Sequence, residues 1–312
     1  MPIKPLSTKS RNRFFYLLIA VFFIASPILV LYTSGYRFGE GIVSETGGVS
    51  VYLSPAGSTL YINNRAGDTL GFLSRSFFVQ DLKIGNYFIE VKKEGYYPWA
   101  KNIVVYPKIV TENYAFLAPE KFILDEVLQF GKLKEGTSTT TKEVVRVATS
   151  TEEYLAVKSL FEKRKLTKAE EKKELEESLD IHKRFDLDET DDILISGKSA
   201  VYLNNNTISA LWIGNVLDAP YFFRVSTSTV ATTTDIFKSE EKISNIEFYP
   251  DRTDVVLIER PSGIVALQLN IGSREADLRP VFKERDSKIR VASNGAYFIK
   301  GVDGRFYRLE LP

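Results

Sequence analysis

The sequence predicts a mainly β chain carried on one membrane-spanning helix. Three observations predict it. Residues 14–32 form an uncharged apolar run. From Val49 onward, short segments alternate apolar with polar residues between Gly, Asn and Pro turns. One internal stretch, residues 152–184, switches to a helical period. The expected architecture is an N-terminal transmembrane helix, a small antiparallel β-sandwich, and a propeller-like or meander β domain with a helical hairpin insertion.

The apolar run extends from Phe14 through Tyr32. A helix needs about 20 such residues to cross the hydrocarbon core. Lys4, Lys9, Arg11 and Arg13 precede the run without an acidic residue, and Arg37 and Glu40 follow it. Positive charge resists translocation. The expectation is therefore a cytoplasmic tail at 1–13, a span at 14–34, and an extracytoplasmic remainder at the cell membrane. Tyr16 and Tyr32 fall where rings favour the interface. Pro27 is expected to bend the helix, and Gly35 to end it. The rival is a cleavable signal peptide, whose apolar region is about 7–15 residues and ends in a small-x-small site. Phe23 two places before Ala25 suits cleavage badly, which leaves Thr33-Ser34-Gly35 as its site.

Composition narrows the chemistry. Lys and Arg total 41 against 40 Asp and Glu, a net charge of +1, which offers no field for nucleic acid. The absence of cysteine excludes disulfides, thiol catalysis and thiolate metal sites. The single histidine, His182, lies in a Lys/Glu-rich stretch, far from a His-centred triad or multi-His site. No catalytic, cofactor-binding or metal-binding residue is assigned.

Residues 35–47 read as a polar, glycine-rich linker. Over residues 48–118 the period is two. Val49, Val51 and Leu53 share a face, as do Leu60 with Ile62, Tyr87 with Ile89 and Val91, Ile103 with Val105, and Tyr114 with Phe116. Turn signals separate them at Gly57, Asn63-Asn64, Gly67-Asp68, Gly85-Asn86, Glu94-Gly95 and Pro107. Such spacing makes an antiparallel sandwich. The segment Ser54-Pro55-Ala56-Gly57-Ser58-Thr59-Leu60-Tyr61-Ile62-Asn63, followed by Gly67-Asp68-Thr69, Gly85-Asn86-Tyr87, Lys93-Glu94-Gly95-Tyr96 and Trp99, resembles a PEGA domain. It departs from the family pattern at Asn64, Leu70 and Ile84. The resemblance implies a small β-sandwich of surface and envelope proteins, without enzymatic activity. Tyr96, Tyr97 and Trp99 are the candidate ligand-contact aromatics; the alternative is that they plug one end of the sandwich.

Residues 119–150 read as a β segment and a candidate first blade, with strands near 122–130 and 143–148. The helical insertion is placed at 151–185. Tyr154, Val157, Leu160 and Phe161 share one face, and Thr167 with Glu170 forms a capping box for a second helix. Asp186, Asp188, Glu189, Asp191 and Asp192 follow. They suggest a Ca²⁺ site or a glycosidase pair, but the spacing fits no binding loop and suits a solvated turn.

Residues 186–312 carry three strand triplets repeating at roughly 45 residues, the period of propeller blades. Ile246-Glu247-Phe248-Tyr249-Pro250-Asp251-Arg252 and Gly263-Ile264-Val265-Ala266-Leu267 resemble a blade of Tol-type periplasmic β-propellers. Three units fall short of the usual 4 to 8 blades, so a reduced propeller and an open meander both stand. Asp251 is expected to serve its turn and Trp212 the core.

The functional expectation is a single-pass, non-catalytic binding or scaffolding protein of a bacterial envelope. Its partners would be the bilayer, through Phe14 to Tyr32, and an envelope protein or polymer, with no cofactor. The alternatives are an envelope hydrolase using a carboxylate pair and a transmembrane sensor subunit.

Overall fold

The computed structural model describes residues 8–39, 42–54, 57–69, 74–129, 144–162, 192–223, 232–271 and 273–310. The expected second insertion helix, His182 and Asp186 to Asp191 lie outside them. The chain is mainly β and forms two compact units. The first comprises Met1–Lys93 with Pro98–Leu117, and the second Glu94–Tyr97 with Ala118–Pro312.

Helix α1 (Thr8–Thr33) opens the first unit. At 1.5 Å per residue it is about 39 Å long, more than the ~30 Å hydrocarbon core. Its large apolar side chains are exposed, Phe23 to 70%. The helix runs on through Pro27. It ends as expected: Ser34 N donates to Val30 O (3.0 Å), Gly35 N to Tyr32 O (3.2 Å), and Gly35 takes φ +81°.

Strands occur within the expected linker at 35–47. β1 (Tyr36–Gly39) and β2 (Ile42–Ser54) form an antiparallel hairpin with Tyr36 opposite Glu45. Glycine here permits close packing, not slack. A Cβ on Gly47 would overlap the carbonyl oxygen of Tyr106.

Further strands are β3 (Thr59–Ile62), β4 (Arg65–Thr69), β5 (Ser76–Lys83), β6 (Gly85–Lys92), β7 (Trp99–Val105) and β8 (Val110–Phe116). β2 pairs antiparallel with β1 and β5 and parallel with β8; the second sheet runs β4-β3-β6-β7. Val49, Val51, Leu60, Ile89, Val91, Ile103 and Val105 are buried, as the alternation predicts. Asn63 and Asn64 both take positive φ (48° and 64°), which a tight two-residue hairpin requires. On β8 the expected phase is inverted. Asn113 and Ala115 are buried, whereas Tyr114 is 37% exposed. Aromatic size suggested the inner face, but the inner position opposite β2 takes the small residues.

The second unit holds three sheets. The first is β11 (Ile193–Ser196), β12 (Ser199–Asn204), β13 (Thr207–Trp212) and β14 (Thr233–Lys238); the second is β15 (Asn245–Tyr249), β16 (Arg252–Arg260), β17 (Gly263–Gln268) and β18 (Arg279–Phe282). Each is an antiparallel meander with a fourth strand that sequence periodicity missed. β14 emerges from a Ser/Thr tract, and β18 carries Pro280.

The third triplet, β19 (Lys288–Val291), β20 (Tyr297–Lys300) and β21 (Phe306–Glu310), pairs with β9 (Ile123–Gln129), which carries β10 (Val144–Thr149) in parallel. The two strands described within residues 119–150, β9 and β10, thus extend the last sheet. β9 fills the open edge of β21, which joins the two ends of this unit by a backbone ladder. No closed propeller or barrel forms among the described residues.

The first two sheets share a core that includes Phe223, Phe237, Ile246 and Ile258. Helix α2 (Thr151–Leu160) covers the third sheet with the face expected from sequence: Tyr154, Val157, Leu160 and Phe161 pack with Phe298 and Phe306. Ser150 caps it, accepting from Glu153 N at 3.1 Å.

One buried carboxylate links the second and third sheets. Glu259, 1% exposed, accepts from Ile289 N (2.5 Å), Arg290 Nη1 (2.7 Å) and Ser244 Oγ (3.2 Å). Glu259→Ala strands Arg290 and an amide, and should cost about 3 kcal/mol in denaturant melts. Gly47→Ala should destabilise the first unit by about 1–3 kcal/mol through overpacking against backbone. A lowered melting midpoint of the full chain checks it.

Candidate functional site

Trp99 is 8% exposed, on the buried face of β7 with Ile103 and Val105. Tyr96 and Tyr97 are half-buried in the second unit. Tyr96 bridges to Pro119, Tyr97 N donates to Ala118 O (2.8 Å), and the Arg279 guanidinium lies 5.6 Å from the Tyr97 ring centroid. Trp99 thus belongs to the first unit, and Tyr96 and Tyr97 to the second. Asp251 sits in the β15–β16 turn with φ +57°. Trp212 is core, its indole N–H donating to Asn215 O at 3.1 Å.

The second unit contains a buried polar cluster. Arg252 makes a two-pronged pair with Asp254 at 2.6 Å on each oxygen. Tyr221 OH donates to Asp254 Oδ2 (3.0 Å), and Gln268 Nε2 donates to Tyr221 OH (2.8 Å). Burial, then the Asp254 charge, pushes the Tyr221 hydroxyl far above its ordinary range and keeps it a neutral donor. These groups satisfy one another. They hold β16, β17 and residue 221 in register.

Glu247 on β15 is the carboxyl nearest to a functional perturbation. Burial raises its pKa, opposed by Asn245 and Arg290 and reinforced by Asp192 and Glu259. The Glu247 and Glu259 carboxyls are thus electrostatic neighbours, yet Glu259 has donors on both oxygens. A shallow cleft of about 390 Å³ lies between Pro250, Tyr297 and Arg308, and Tyr297, which donates to Phe248 O at 2.9 Å, also feels the Glu247 charge.

Outside α1, the first unit exposes an aromatic sheet face. Val49, Val51 and Leu53 face the core, so Tyr52 faces out. The register sets Tyr114 of β8 beside Tyr52, and Phe78 of β5 beside Ser50. The two tyrosine rings stack at 5.0 Å and 19°. Tyr52 and Tyr114 are each 37% exposed, Val110 43% and Phe78 54%. This face offers apolar area with phenolic hydroxyls and carries one carboxylate, Glu112. Its chemistry is non-covalent: ring faces for C–H groups, hydroxyls for hydrogen bonds. Tyr52 was legible from the alternation of β2; its pairing with Tyr114 was not, because no local signal announces a parallel partner.

Residues 46–121 match the PEGA domain family. That match runs from within β2 through β8, leaves β1 outside, and agrees with the resemblance at residues 48–118. No curated protein matches the chain.

Glu247 gives a pH prediction. Its folded-state pKa lies above the unfolded value of ~4.3. The native state then holds the proton more tightly, so stability falls as pH rises from the unfolded value through the folded one. Glu247→Gln removes this loss. Urea melts should show the variant gaining stability relative to the parent as pH rises above the unfolded carboxylate value of ~4.3.

Proposed function

We propose that the chain is a single-pass protein of a bacterial envelope that binds or scaffolds an envelope protein or polymer outside the cytoplasm, without catalysis. The observation that carries this reading is α1, an apolar helix with no covering partner among the described residues, joined directly to a PEGA-like unit. The basic residues before Phe14 support a cytoplasmic N-terminus. The aromatic face of Tyr52, Phe78 and Tyr114 supplies the binding surface.

Two measurements test it. A reporter active only outside the cytoplasm, fused after Pro312, should be active; an inactive fusion refutes the orientation. Full-length protein in detergent should bind separated envelope polysaccharide or envelope protein saturably and without turnover. Replacing both Tyr52 and Tyr114 by Ala should weaken that binding roughly tenfold, about 1.4 kcal/mol. Unchanged affinity removes this face from the binding role.

A further inference from the structure

The junction between α1 and the first unit is short and tied. Only Ser34 and Gly35 separate helix from strand. Thr46 donates to Gly35 O from both its amide and its hydroxyl, each at 2.9 Å. Arg37 Nη1 donates to Tyr32 O (2.7 Å), its guanidinium stacks 3.8 Å from the Tyr32 ring, and Nη2 pairs with Asp81 (2.5 Å). Lys108 Nζ donates to Tyr36 OH (2.8 Å) and pairs with Glu45 (2.9 Å), while its amide donates to Thr46 O (2.8 Å). A helix end held by three strands and a turn cannot swing freely from the sandwich.

The register shows what else lies at this end. Thr46 is opposite Lys83, so the β5–β6 turn carrying Ile84 is one strand from the junction. Gly85 is opposite Val105, which brings the β7–β8 turn, with Lys108 and Ile109, to the same end. Ile84 is 52% exposed and Ile109 43%; Lys83 beside Ile84 is also exposed. A lone exposed isoleucine is ordinary. Two at the tips of adjacent turns, each next to a lysine and close to Tyr32 and Tyr36, have the composition of a membrane interface.

We propose that this end of the first unit seats in the outer headgroup layer of the bilayer that α1 crosses, with Ile84 and Ile109 against the acyl boundary and Lys83 on lipid phosphate. The inference rests on the reading of α1 as a membrane span. It makes the unit a body held against the lipid surface, so a partner must be reached close to the membrane.

The cysteine-free sequence allows single-site labelling. Ile84→Cys, Ile109→Cys, Phe22→Cys and Lys92→Cys are each made in the full chain, labelled with an environment-sensitive fluorophore, and reconstituted into phosphatidylcholine/phosphatidylglycerol vesicles. Lys92 ends β6 about 23 Å along the strand from Gly85. The expected result is quenching of positions 22, 84 and 109 by lipid-borne spin label and their protection from aqueous iodide, with position 92 the reverse. Either position 84 or position 109 behaving like 92 while 22 stays lipid-quenched overturns this proposal and leaves the span intact. Position 22 behaving like 92 overturns the span itself, and this proposal with it.

Discussion

A helix whose apolar side chains are exposed on all sides has the wrong surface for water. Each Leu, Ile, Phe or Val at its centre favours the bilayer by roughly 0.3–0.6 kcal/mol, and α1 carries no charge from Phe14 to Tyr32 to oppose them. The cap geometry at Gly35 then decides how the chain leaves the helix. With φ +81° at that residue, the backbone turns straight into β1. The central strand of the first sheet, β2, grows from that hairpin and organises β5 and β8 around itself. The first unit is therefore built outward from the end of α1, with only Ser34 and Gly35 between helix and strand.

In the second unit, buried charge does what apolar packing alone does poorly. Meanders of β-branched residues are permissive about register, because many slips bury similar area. Asp254 with Arg252, Tyr221 and Gln268, and Glu259 with Ile289 N and Arg290, are satisfied only in one alignment. Pairing β9 against β21 adds a second constraint, since it closes a long loop of chain with backbone hydrogen bonds. Both devices favour one arrangement of three similar sheets over others of comparable hydrophobic area.

The candidate surface depends on strand pairing rather than on clustering in sequence. Tyr96, Tyr97 and Trp99 stand out because three large rings cluster in four positions. Clustering in sequence says nothing about which compact unit each ring joins, and here Trp99 goes to one core while the tyrosines join the other unit. Tyr52 and Tyr114 are 62 positions apart in the chain, and stack because β2 and β8 run side by side. An inverted phase on β8 hid the second of them, since apolar residues occupy both faces of that strand.

The sequence by itself determined the span, its basic flank, the period-two segments, the PEGA-like turns and the packing face of α2, because these depend on contacts within a few residues. Only the tertiary structure decided that β1 pairs with the start of β2, that β9 completes the last sheet, and that Tyr114 faces out. Each of those follows from pairing between distant strands. Strand pairing is set by which edges and faces remain uncovered once the rest of the chain has folded, and no local pattern carries that information.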